Sequence, residues 1–324
     1  MHNMSGIDTL QQSFETYFNH RHFPLSPSTL YNPLEDFLSN SGKRIRPILC
    51  LMGNELFGEI NTDAYHLAAA VELFHNFSLV HDDIMDKAPL RRGKPTVHAV
   101  YGEPTALLGG DVMMVVAYDY INKINTKYLR DVIQLFNQTA KEVCEGQQLD
   151  MDFEKLDHVS MEDYLHMISQ KTSVLLAASL QMGAIVGGAS DNNQQHIYAF
   201  GKNLGIAFQI QDDYLDAFGD PDKFGKQVGG DIISNKKTFL MIHALSTAKE
   251  KDLLQLQNLM KENPVDKVEK VLEIFRSCGI DQWAKELKES YLQKALSDLD
   301  EIAVSKVRKE SLLQLANYLI SRDK

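Results

Sequence analysis

The sequence predicts an all-α fold, a single large helical domain over residues 1–324, and three observations carry that expectation. Apolar residues recur at three- and four-residue spacing through most of the chain. Runs of alternating β-branched residues bounded by hairpin turns are scarce. Only nine prolines interrupt 324 residues, and no low-complexity tract or shift of composition marks a linker. With 44% hydrophobic and 24% charged residues, the chain can bury a large core and has an ordinary soluble composition.

Taken in order, the N-terminal MHNMSGIDTLQQSFETYF carries Asp, Gln and Glu where a secretion signal needs an apolar run. Helical periodicity then covers 46–57, 63–85, 111–121, 128–149, 161–186 and 194–218, and most of the last ninety residues. Pro47 suits the first turn of its helix, where a missing N–H costs nothing. The most apolar segment, 173–190, is broken by Gln181 and by small residues and falls short of a membrane span. Two stretches lack the period. One is 87–104, with three prolines and two glycines; the other is 219–238, GDPDKFGKQVGGDIISNKKT. Each follows an acidic helix end and is rich in Lys or Arg, and loops on a rigid scaffold commonly carry chemistry.

The formal charge of −11 and the lack of a basic stripe argue against nucleic acid. Three distant cysteines, Cys50, Cys144 and Cys278, have no metal or redox spacing and suit a reducing compartment. The expected location is cytoplasmic, without stable membrane insertion.

The first acidic end is DDIMD. Asp82 and Asp86 lie one turn apart on one helix face, with Asp83 on the flank. Like charges at that spacing repel, and a helix C-terminus favours cations. FQIQDDYLD repeats the pattern at Asp212, Asp213 and Asp216. Two DDxxD motifs in a chain of this length arise by chance roughly a few times in a thousand, and both end strongly apolar helices. Clustered carboxylates beside clustered cations suit Mg²⁺, which takes about one or two protein carboxylates per site and fills its octahedron with water and phosphate oxygens. A diphosphate ligand accounts for Arg91, Arg92, Lys226, Lys236 and Lys237 as well. A glycosidase pair needs two carboxyls rather than six, and a di-iron bundle needs a pair of Glu-x-x-His motifs placed to face each other, of which none is appropriately placed here.

DDIMD followed by LRRGKPTVH, together with FQIQDDYLD, resembles the trans-isoprenyl diphosphate synthases, the farnesyl and geranylgeranyl diphosphate synthase family. SGKRIRP resembles the family's GGKRxRP, with Ser41 for the first glycine. His75, GQQLD (146–150), KT (171–172), GKQVGGDI (225–232) and NKKT (235–238) fall where that family has matching elements. The resemblance implies antiparallel helices around a central cavity, usually as a homodimer. It assigns Asp82, Asp83, Asp86, Asp212, Asp213 and Asp216 to three Mg²⁺ ions bridging an allylic diphosphate. Arg91, Lys171, Lys226 and Lys236 would contact that diphosphate. Thr172 and Gln209 would lie near the reacting carbons, where an oxygen dipole stabilises a carbocation. Lys43, Arg46, His75 and Arg92 would hold isopentenyl diphosphate, and Gln147 and Asp150 would orient the metal site. An alternative to the phosphate reading takes Lys43, Arg44 and Arg46 as an ordinary solvated helix start, and Lys237 is read as a solvated neighbour of Lys236.

The implied reaction needs no protein nucleophile. The allylic diphosphate ionises, the double bond of isopentenyl diphosphate attacks, and a proton is lost. A growing tail would run toward the N-terminus of the helix carrying DDIMD, past Ser78 and Phe74. Phe77, five residues before Asp82, is turned by about 140° onto the flank. In the resembled family an aromatic there closes the pocket, which gives an expected product of fifteen or twenty carbons. The terminal Arg322 and Lys324 resemble the basic tail of farnesyl synthases. Competing readings are a longer-chain synthase, a class I terpene cyclase and a non-catalytic synthase subunit. SGKRIRP and the second motif speak against the cyclase, and the six aspartates against the subunit.

Overall fold

The computed structural model describes residues 5–39, 42–219 and 229–320. Ser41, Lys226, residues 225–228 of GKQVGGDI, Arg322 and Lys324 lie outside the described residues. Helix follows helix: α1 (Ser5–Phe18), α2 (Ser28–Ser39), α3 (Ile45–Glu55) and α4 (Thr62–Met85). A two-residue ladder, β1 (Leu90–Arg91) with β2 (Lys94–Pro95), precedes α5 (Val97–Tyr101) and α6 (Glu103–Ile121). Then come α7 (Thr126–Lys155), α8 (Met161–Ile168), a π-helical turn (Ser169–Ser173), α9 (Val174–Val186) and α10 (Asp191–Phe218). The rest is α11 (Gly230–Ile233), α12 (Phe239–Thr247), α13 (Glu250–Glu262), α14 (Lys267–Ser277), α15 (Ile280–Glu301) and α16 (Lys306–Ile320).

The all-α expectation holds, with departures: α1 and α2 precede the first periodic segment, the π-helical turn divides the segment 161–186, and α11 lies within the stretch 219–238. The stretch 87–104 is largely ordered structure rather than loop, and α6 begins eight residues before its apolar period becomes visible. Pro104 sits in the first turn of α6, where it removes no helical hydrogen bond.

The chain groups into two compact units, Met1–Gln138 with Ala178–Tyr198 and Ala303–Ser311, and Thr139–Ala177 with Ala199–Ile302 and Leu312–Lys324. In the first, α3 and α9 touch backbone to backbone. A Cβ on Gly183 would come 1.9 Å from the Cys50 carbonyl oxygen, and one on Gly53 would come 2.2 Å from that of Leu180. Gly109 and Gly110 let α6 close on Leu34 of α2 and on His81 of α4 in the same way. Asn61 caps α4, its side chain accepting from the Ala64 N–H and donating to the Val186 carbonyl at the end of α9. The helix carrying DDIMD is thus fixed at its origin.

In the second unit, α8, α10 and α12–α15 enclose a core that includes Met167, Ile210, Phe239, Leu256, Val271, Phe275 and Ile280. A capping box starts α8, with Ser160 Oγ accepting from the Asp163 N–H and Asp163 returning the bond to the Ser160 N–H.

Candidate active site

In the first unit, α4 ends in a Schellman motif. The Lys87 N–H bonds the Ile84 carbonyl and the Ala88 N–H bonds that of Asp83. Lys87 takes the left-handed position at φ +50°, which costs a lysine about 1 kcal/mol but places a cation at the negative helix end. The motif locks the turn carrying Asp82, Asp83 and Asp86. Their fates then diverge. Asp83 is buried, and Arg91 donates both Nε–H and Nη2–H to its Oδ1, each at 2.8 Å. Burial raises the Asp83 pKa against the pull of Arg91, and among the described residues its Oδ2 has no hydrogen-bond partner. Asp86 is exposed and Asp82 half-buried.

RRGK is a hairpin. Leu90 pairs with Pro95 and Arg91 with Lys94, and Arg92 and Gly93 form the connection at φ +53° and +74°. Two positive φ values in a two-residue loop are the type I′ pattern, so Gly93 suits its place and Arg92 is held in a demanding one. The Arg92 guanidinium reaches back over Gly42, where a Cβ would come 2.6 Å from its nitrogens. The glycine of SGKRIRP therefore makes room for a distant arginine.

The cations of SGKRIRP divide the work. Arg44 is not part of a solvated helix start. It is buried, pairs with the buried Glu72 and donates to the Leu38 carbonyl, while Asn76 binds the same Glu72 oxygen. Lys43 is exposed. Arg46 donates to His75 Nε2 at 3.0 Å. An arginine has only donors, so Nε2 must accept and the ring proton sits on Nδ1. Burial and then Arg46, Arg92, Arg91 and Arg44 hold the His75 pKa well below its ordinary value, so the ring is neutral. A cavity of about 260 Å³ is lined by Asn76, Arg91, Arg92 and Lys94 with Phe37.

Phe77 is half-buried and packs edge-on to His81 (4.8 Å) and against Phe74 (5.5 Å), which is fully buried. Ser78 is half-buried and donates to the His75 carbonyl.

In the second unit, Lys171 and Thr172 sit in the π-helical turn, which two glycines allow neighbouring helices to clasp. A Cβ on Gly146 of α7 would come 2.3 Å from the Lys171 nitrogen, and one on Gly205 of α10 would come 2.7 Å from the Ser173 Cα. Wide turns of this kind favour functional sites. GQQLD becomes legible. Gly146 admits the turn, Asp150 pairs with the Lys171 ammonium at 2.6 Å, and Gln147 is buried with neither amide atom hydrogen-bonded among the described residues. Burial works against the Asp150 carboxylate, but Lys236 and Lys171 hold its pKa below the usual value.

On α10, Asp213 is buried, accepting from the Tyr164 hydroxyl at 2.6 Å and from Gln209 Nε2 at 2.8 Å. Gln209 Oε1 in turn accepts from Thr172 Oγ1 at 3.1 Å. Gln209 thus turns its amide nitrogen to Asp213 and its carbonyl to Thr172. Burial and Asp231 push Asp213 up to about 7, against Lys236 and its two hydrogen bonds. Asp216 accepts the Asp231 N–H at 3.0 Å and its backbone carbonyl takes the Gly229 N–H; Asp212 is half-buried. Lys236 and Lys237 line one cavity with Asp150, Lys171, Thr172 and Gln209, so Lys237 is not merely a solvated neighbour. Tyr164 was missed in the sequence, although it precedes Lys171 by seven residues, two helical turns along the same face.

The chain resembles known proteins over most of its length. A family model described as polyprenyl synthetase matches residues 27–276. The short chain isoprenyl diphosphate synthase of Methanothermobacter thermautotrophicus is 37% identical over 92% of this chain and 92% of its own. The geranylgeranyl diphosphate synthase of Saccharolobus solfataricus is 40% identical over 87% of each chain. The crystal structure of geranylgeranyl pyrophosphate synthetase from Pyrococcus horikoshii superposes with a TM-score of 0.91 at 34% identity, covering 98% of both chains.

Proposed function

The chain belongs to the polyprenyl synthetase family, and on that premise we propose that it joins isopentenyl diphosphate to an allylic diphosphate, giving an all-trans product of fifteen or twenty carbons. It is a prenyltransferase. Supporting this reading of the site is one geometry that occurs twice. In each DDxxD the middle aspartate is buried and hydrogen-bonded inward, while the outer two lie one turn apart at a helix end with cations nearby. The two units are taken as one catalytic domain, because each is assembled from three separated segments of the chain.

Carboxylate oxygens suit a hard divalent cation. Among the described residues no three His, Cys, Asp or Glu side chains gather to enclose an ion, and Mg²⁺ needs only about one or two carboxylates when substrate and water complete its shell. Asp82 and Asp86 in the first unit, and Asp212 and Asp216 in the second, would hold Mg²⁺, with Asp83 fixing Arg91 and Asp213 fixing Gln209. Bound metal supplies Lewis-acid neutralisation of the departing diphosphate. Arg91, Lys171 and Lys236, with Lys226 outside the described residues, bind the remaining diphosphate oxygens. Lys43, Arg46 and Arg92 bind isopentenyl diphosphate, and His75 orients Arg46. The Thr172 proton is committed to Gln209, which leaves hydroxyl lone pairs to face an allylic cation. Phe74, Phe77 and Ser78 set the product length. The departing diphosphate takes the final proton.

The chain acts in the cytoplasm as a homodimer. No helix of the described residues is long and apolar enough to cross a membrane. Val100, Tyr101, Leu107, Leu108 and Val115 are exposed on α5 and α6, an apolar face suited to a second copy; sedimentation as a monomer would refute that. The catalytic reading is tested by incubating the chain with labelled isopentenyl diphosphate and dimethylallyl, geranyl or farnesyl diphosphate, then separating products by chromatography. Activity should vanish with chelator and return with Mg²⁺. A linear product of fifteen or twenty carbons is expected. No consumption of isopentenyl diphosphate overturns the assignment, and a longer product overturns the chain length.

A further inference from the structure

Lys267 opens α14, and only 1% of it is exposed. That position is costly twice over. A buried ammonium loses its hydration, and a cation in the first turn opposes the helix dipole. Burial alone shifts its pKa, downward, and no carboxylate among the described residues pulls it back. Its partners among the described residues are three neutral oxygens: Asn235 Oδ1 at 2.7 Å, Asn263 Oδ1 at 3.0 Å and the Ile233 carbonyl at 3.3 Å. Both asparagines are left-handed, at φ +57° and +46°. The Asn235 amide runs on to the Met260 carbonyl at 3.0 Å. One ammonium thus ties the end of α13 to two residues lying just before Lys236.

The opposite end of that short segment is held as well. Asp216 of α10 accepts from the Asp231 and Gly229 N–H groups, and Gly229 lies so close to α14 that a Cβ would come 2.5 Å from Val268. Lys236 emerges from this clamped turn into the cavity shared with Lys171, Asp150 and Asp213. We infer that Lys267 is a positioning residue: it fixes the backbone before Lys236 so that the Lys236 ammonium meets the diphosphate. This rests on the assignment of Lys236 to diphosphate given above.

The test is calorimetric binding of inorganic diphosphate with Mg²⁺ to the full chain, beside steady-state kinetics. Lys267→Met should weaken diphosphate binding about tenfold, the scale of one hydrogen bond to a charged group, while the KM for isopentenyl diphosphate stays put. Asn235→Gly, which keeps the left-handed backbone and removes the acceptor, should do the same and serves if Lys267→Met does not fold. In a Lys236→Ala background neither change should matter further. Unchanged binding in Lys267→Met and Asn235→Gly, or an equal loss with and without Lys236, overturns the inference alone. Wild-type affinity in Lys236→Ala itself overturns the assignment of Lys236 and the strut's purpose with it.

Discussion

Replacing Arg91 by Ala should strand a carboxylate inside the protein. Asp83 is 1% exposed, both of its contacts from Arg91 fall on Oδ1, and among the described residues Oδ2 already lacks a partner. Removing one member of a buried ion pair costs about 3–5 kcal/mol. The Arg91 side chain is 28% exposed, so water reaches the vacated space and the lower end, about 3 kcal/mol, applies. The sign of the pH dependence follows from protonation. Burial holds the folded Asp83 pKa above its unfolded value, and losing Arg91 raises it further. The folded variant then binds a proton that the unfolded chain releases, so its deficit grows as pH rises above the unfolded carboxylate range. Urea unfolding at pH 5 and pH 8 measures this, with the larger loss expected at pH 8. Asp83→Asn in the same chain should recover most of the loss by removing the charge. A deficit below about 0.5 kcal/mol, or additive losses in the double variant, would refute the argument.

Two more outcomes are expected. Phe77→Ala should lengthen the product by at least one five-carbon unit on chromatography, because its ring packs on Phe74 and His81; an unchanged product removes Phe77 from that role. Burial and then His20 hold His22 at about 4, with Arg44 and Lys123 pressing the same way and a contact to the Phe18 backbone opposing. His22 stays neutral in the fold while the unfolded ring charges below about 6.5, so stability should fall by at most about 3 kcal/mol between pH 6.5 and 4. His22→Gln should flatten that slope in urea titrations, and an unaltered slope would discard it.

The apolar period located α3, α4 and α10 to within a few residues, because burial against neighbours is what that period encodes, but it gave no segment for α1 or α2 and ended α7 six residues early. It missed the first turns of α6, where residues such as Leu107 and Leu108 are exposed and small ones such as Gly109 and Gly110 are buried. It missed the hairpin because two-residue strands are too short to alternate. The six aspartates were legible as a pair of motifs, but helical phase alone did not show that Asp83 and Asp213 turn inward. That depends on Arg91 eight residues ahead and on Tyr164 in another helix. Likewise, the burial of Arg44 follows from Glu72 and Asn76 on α4, which no local pattern connects to SGKRIRP.

The π-helical turn from Ser169 to Ser173 has a bearing on ancestry as well as on geometry. A helix that gains one residue would normally rotate everything beyond it by about 100°, undoing every contact on one side. A single widened turn absorbs the surplus locally, so that α8 and α9 keep their separate packing on either side of Lys171 and Thr172. Innovation of this sort is confined by design: the surrounding helices need only small residues, Gly146 and Gly205, to accept it. Trimming one residue from the turn would therefore return the segment to an ordinary helix and carry Lys171 and Thr172 away from Asp150 and Gln209 together.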